Sequence, residues 1–61
     1  MTSIAINTES GAVKVTFTAN ADGTVTVRFG SSYTLSRVNY DDAHDLAREL
    51  DCAASLSEEI S

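Results

Sequence analysis

The 61 residues carry 43% hydrophobic positions, no proline or tryptophan, a single cysteine and a formal net charge of −5. A chain of this length makes one domain with a thin core, because small domains bury only about 60% of their unfolded surface, and a deep walled catalytic cavity is not expected. Cys52 alone excludes an intrachain disulfide framework and any multi-cysteine zinc site, and no run approaches the ~20 apolar residues of a membrane span.

The opening Met1-Thr2-Ser3-Ile4-Ala5-Ile6 has neither the basic nor the apolar segment of a secretory signal. A soluble, cytoplasmic protein in a reducing compartment is the expectation. Residues 1–38 then read as three to four short strands in an antiparallel meander. Ile4 and Ile6 alternate with Ala5, and Glu9-Ser10-Gly11 marks a turn. Period-2 alternation is clearest in Val13-Lys14-Val15-Thr16-Phe17-Thr18 and in Thr24-Val25-Thr26-Val27-Arg28-Phe29. Between those runs, Asp22-Gly23 supplies the tolerance of positive φ that a hairpin loop needs. Gly30-Ser31-Ser32 breaks the chain before Tyr33-Thr34-Leu35-Ser36. Matching the apolar faces predicts Val13, Val15 and Phe17 opposite Phe29, Val27 and Val25. On the other face this pairs Thr18 with Thr24, Thr16 with Thr26, and Lys14 with Arg28, the last a mildly unfavourable cation pair.

The period changes at Asn39, a good N-cap, with Asp42 in a capping-box-like position. Tyr40, Ala43, Leu46, Ala47 and Leu50 form one helical stripe, which predicts a helix over 39–51. Packed on one face of the sheet, that helix completes a two-layer α+β fold with a single domain over 1–61. The predicted core is Ile4, Ile6, Val13, Val15, Phe17, Val25, Val27, Phe29, Tyr33, Leu35 and Val38 against Ala43, Leu46, Ala47 and Leu50. Residues 52–61 read as a tail, as a short second helix capped by Ser55 with Glu58, or as a continuation of the first helix through Ala53 and Ala54.

Charge divides sharply between the halves. Residues 1–38 set Lys14, Arg28 and Arg37 against Glu9 and Asp22, a net of +1. Residues 39–61 set only Arg48 against Asp41, Asp42, Asp45, Glu49, Asp51, Glu58 and Glu59, a net of −6. Asp41 and Asp42 suit the positive end of the helix dipole. Asp41, Asp45 and Glu49, however, stack at i, i+4 and i+8 and repel, with Arg48 relieving only Asp45. Folding alone would favour lysine at several of these sites. A ridge of carboxylates about 6 Å apart per turn imitates the phosphates that a nucleic-acid-binding protein expects. The competing explanation is a solvated acidic face that keeps a small protein soluble.

Catalytic and cofactor signatures are absent. None of the three glycines belongs to a nucleotide-binding loop, and the few basic residues with a repulsive net field disfavour direct nucleic-acid binding. His44 beside Asp41 and Asp45 offers too few ligands for a metal. His44 and Cys52 lie about 12 Å apart along a helix, beyond hydrogen-bond reach, and Cys52 reads as a half-buried packing residue. The expectation is a protein with no enzyme activity, no cofactor and no metal.

In size and in the acidic run Asp41, Asp42, Asp45, Glu49, Asp51, Glu58 and Glu59, the chain resembles the small acidic inhibitors encoded by phages and mobile elements. These include anti-CRISPR and DNA-mimic anti-restriction proteins. The resemblance is one of class and covers no alignable motif. It implies a stoichiometric, non-catalytic inhibitor in the host cytoplasm that binds the basic nucleic-acid-binding surface of a defence effector through those seven residues, as a monomer. The alternative is a structural or assembly module that joins protomers through a sheet edge or the threonine-rich face of Thr16, Thr18, Thr24, Thr26 and Arg28. A dimer belongs to that alternative.

Overall fold

The computed structural model describes residues 1–61 as β1 (Thr2–Thr8), β2 (Gly11–Ala19), β3 (Thr24–Phe29), β4 (Tyr33–Asn39) and α1 (Tyr40–Ile60). The strands pair antiparallel in chain order, β1-β2-β3-β4, as one open sheet. The α+β class and four-stranded meander therefore follow the sequence expectation. β-branched and aromatic residues dominate β2 and β3, whose alternating side chains present one apolar and one polar face.

The β2–β3 register departs from expectation by two residues. Val15 faces Phe29, Phe17 faces Val27 and Ala19 faces Val25. The loop explains the shift: the Asn20 amide donates to the Thr24 carbonyl at 2.8 Å, so the turn closes over four residues and Ala19 stays in the strand. The Asn20 side-chain amide reinforces this by donating to the Thr24 and Thr26 hydroxyls, each at 3.0 Å. Because the shift is even, every side chain keeps its expected face. Arg28 now opposes Thr16 rather than Lys14, which removes the predicted cation pair.

β4 carries a bulge. Val25 pairs with Val38 and Val27 with Leu35, so Ser36 and Arg37 together oppose Thr26. Arg37 adopts φ +58°, the left-handed region that a non-glycine residue seldom occupies. Its guanidinium Nη2 donates to Asp22 Oδ2 at 2.9 Å. Asp22 Oδ1 accepts from the Thr24 hydroxyl at 2.6 Å and from the Thr24 amide at 3.1 Å. The Thr24 hydroxyl leads the causes that hold the Asp22 carboxyl below its ordinary value of 3.8, with backbone amides and Arg37 adding to it. A depressed folded-state value means that the stabilisation is complete above the unfolded value and disappears as pH falls through the folded one. Acid titration followed by circular dichroism should show wild-type stability falling below about pH 3.8, with a shallower loss in Asp22→Asn.

The helix starts where the sequence places it. The Asn39 side-chain oxygen accepts from the Asp41 amide at 2.9 Å, although Asp42 does not complete a capping box. The Tyr40 amide donates to the Gly23 carbonyl at 3.1 Å, and a Cβ on Gly23 would meet the Tyr40 ring at 3.6 Å. These contacts tie the first turn of α1 to the β2–β3 loop. The predicted end at residue 51 is corrected: α1 runs unbroken for 21 residues to Ile60. No glycine or proline interrupts residues 40–60, and Ala, Leu and Glu support the helix throughout. Ser55 is an interior residue and caps nothing.

The two layers do not close. α1 approaches β3 and β4 only, and the predicted core contains just two buried residues, Val15 at 3% and Val27 at 8% exposure. Ile4, Ile6, Leu46 and Leu50 remain exposed. The radius of gyration is 13.0 Å, against about 10.5 Å for a compact domain of this length.

Candidate functional site

Two surfaces stand out: the acidic side of α1 and the apolar space beneath it. All seven predicted carboxylates lie on exposed residues of α1. At 100° per residue the helix divides them. Asp41, Asp45 and Glu49 follow one ridge, one turn apart, with Asp42 and Glu59 on the same side. Asp51 and Glu58 fall on the opposite side of the apolar stripe, and Asp51 reaches the rim of the space below. The seven residues are therefore five and two, not one array.

Arg48 is more central than the sequence implies. Its Nη2 lies 2.7 Å from Asp45 Oδ1, and its Nε lies 3.9 Å from Glu49 Oε2. The expectation that it relieves Asp45 alone is corrected. With solvent around all three side chains, these contacts are weak, and the ridge stays net negative. Asp41, Asp42, Asp51, Glu58 and Glu59 have no cation within 4.0 Å.

The threonine-rich face is partly committed to its own sheet. Thr24 and Thr26 accept from Asn20, and Thr16 shares a 3.3 Å hydrogen bond with Ser3. β1 and β4 are both free sheet edges. His44 and Cys52 are exposed, eight residues apart on one continuous helix. Cys52 is thus a mid-helix surface thiol, not the half-buried packing residue the sequence suggests. No group of three or more His, Cys, Asp or Glu side chains is placed to hold a metal ion, and no helix is long and apolar enough to cross a membrane.

The feature that sequence reasoning missed is a cleft of about 560 Å³ between the sheet and α1. Fifteen residues line it, and all but Asp51 are apolar. Thirteen of them were expected to meet as a core; Asp51 and Ala54 were not. One signal was available: the helical stripe of Ala43, Leu46, Ala47 and Leu50 continues to Ala54, beyond the helix end expected at residue 51. No family model, curated protein or solved structure matches the chain.

Proposed function

We propose that this protein is a non-catalytic acidic inhibitor that docks the outer side of α1 on a basic, nucleic-acid-binding surface of a defence effector. The observation that supports this reading is the exposed ridge of Asp41, Asp45 and Glu49, one helical turn apart and flanked by Asp42 and Glu59. Such a ridge has the spacing and sign to occupy a groove built for phosphates and to steer rapid association. Like charges at i and i+4 cost the helix stability, which docking on a basic surface would offset.

The test is capture from a phage-host lysate at low salt, released by a salt step and identified by mass spectrometry. Wild-type protein should retain a nucleic-acid-processing complex, and the Asp45→Lys, Glu49→Lys double variant should lose at least tenfold of that capture while keeping its circular dichroism spectrum. Equal capture by the folded double variant, or no capture by either, refutes the reading.

A second reading, an assembly module, is favoured by the open apolar cleft. It places the joining surface on the inner face of the sheet, not on the threonine-rich face expected from the sequence.

A further inference from the structure

We propose that two copies of this chain pair through the exposed edge of β1, antiparallel and centred on Ala5, so that their sheets run on as one. This inference goes beyond both readings above and uses neither the acidic ridge nor the cleft.

The two edges of the sheet are not alike. β4 carries the bulge at Ser36 and Arg37, with Arg37 at φ +58° and its guanidinium held by Asp22. Bulges and charged side chains are the usual means by which an edge strand refuses a further strand. β1 has neither. Its seven residues, Thr2–Thr8, are all exposed, include no charged side chain and no proline, and pair with β2 in an unbroken ladder. Alternate residues of such a strand turn their amides and carbonyls outward, a ready template for another strand.

The order of residues decides which strand fits. Thr2-Ser3-Ile4-Ala5-Ile6-Asn7-Thr8 reads nearly the same from either end. An antiparallel copy centred on Ala5 therefore sets Thr2 opposite Thr8, Ser3 opposite Asn7, Ile4 opposite Ile6 and Ala5 opposite its own equivalent. Isoleucine meets isoleucine on the inner face, and hydroxyl meets amide on the outer one. A slip of two residues would leave one isoleucine of each copy facing threonine. Charge favours the same joint. Each copy carries −5, and β1 is the only strand or helix without a charged residue. The pairing is isologous and closes at two copies, whereas β1 on a partner's β4 would run on as a filament.

Seven residues a side fall short of the roughly 20–30 of a standard interface, so the dimer exchanges with monomer and concentration drives it. Sedimentation equilibrium of the full chain up to about 1 mM should show a monomer–dimer equilibrium. It should tighten between about 0.05 and 0.5 M NaCl, as repulsion between the two copies is screened. Ala5→Glu should raise the dissociation constant at least tenfold, because two carboxylates then face each other at the axis. Within its own chain that side chain stands opposite Lys14, a favourable pair, so the fold is kept. Thr34→Glu, which adds the same charge to β4 opposite Arg28, should leave association unchanged.

Crosslinking in a Cys52→Ser background reads the register. Ala5→Cys should form a disulfide dimer under mild oxidation, since opposed Cα atoms lie about 4.5–5.5 Å apart, within disulfide reach. Ser3→Cys alone should not, its two copies lying four residues or about 13 Å apart along the joint. Mixed with Asn7→Cys, it should. A chain that stays monomeric to about 1 mM overturns the proposal, as does crosslinking at Ser3→Cys alone in preference to Ala5→Cys. A dimer that ignores Ala5→Glu also overturns it: loss with Thr34→Glu moves the joint to β4, and indifference to both leaves the inner face of the assembly reading.

Discussion

Val15→Ala should lower the unfolding free energy by about 2–3 kcal/mol, the lost transfer free energy of two methyl groups together with the packing they make. Val15 is the most enclosed side chain of the molecule, at 3% exposure on the inner face of β2. Ile4 of β1 and Phe29 of β3 stand directly opposite it, and Phe17 pairs with the only other buried residue, Val27. Total stability for a chain of this length is about 3–9 kcal/mol. One substitution at this point therefore removes a large share of the whole, and urea unfolding should show the midpoint fall accordingly. The same truncation at Val13, on the same face of β2 but nearer the β1–β2 turn, should cost less. A loss at Val15 below about 0.5 kcal/mol, typical of surface sites, would show that the core is centred elsewhere.

That concentration of stability at one point reflects how the sheet was and was not legible. Alternation in β2 and β3 fixed which side chains share a face, because parity survives any even slip. It did not fix the register, which depends on the Asn20 amide closing the loop on Thr24 and on that side chain bridging Thr24 and Thr26. The bulge at Ser36 and Arg37 left no composition signal, since the left-handed residue is an arginine and not a glycine. Yet the bulge brings Leu35 and Val38, three residues apart, to pair with inward-facing Val27 and Val25. It immediately precedes Asn39 and Tyr40, where the chain turns into α1. The direction in which α1 leaves the sheet belongs to that local geometry, and periodicity carries no information about it.

The candidate site was legible in part for the same reason. Helical phase follows from spacing, so the Asp41, Asp45 and Glu49 ridge could be placed from the sequence. The grouping of all seven acids could not survive a continuous helix, which carries Asp51 and Glu58 to the far side of the stripe. Arg48 reaching Glu49 as well as Asp45 is a rotamer choice that spacing does not determine. The cleft was illegible because an inventory of apolar residues reads the same whether they close on one another or stay apart.

The continuity of α1 is where these arguments meet, and Ala54→Pro should break it. Proline at residue 54 removes the amide that bonds to the carbonyl of residue 50 and clashes with that carbonyl, at a cost of about 3 kcal/mol or more in a helix interior. The residues beyond it are exposed, and a segment that short does not hold a helix in isolation. The helix should therefore relax by losing Ala54–Ile60, about a third of its 21 residues, read as an equivalent loss of ellipticity at 222 nm. Ala54→Gly, which keeps the amide, should cost only about 1 kcal/mol and retain most of the signal. Had the chain formed two helices meeting at Ser55, proline just before the second would leave both intact, so an unchanged spectrum contradicts the single helix. Ala54 also lines the cleft, and unravelling beyond it removes Leu56 and Ile60 from their shared face.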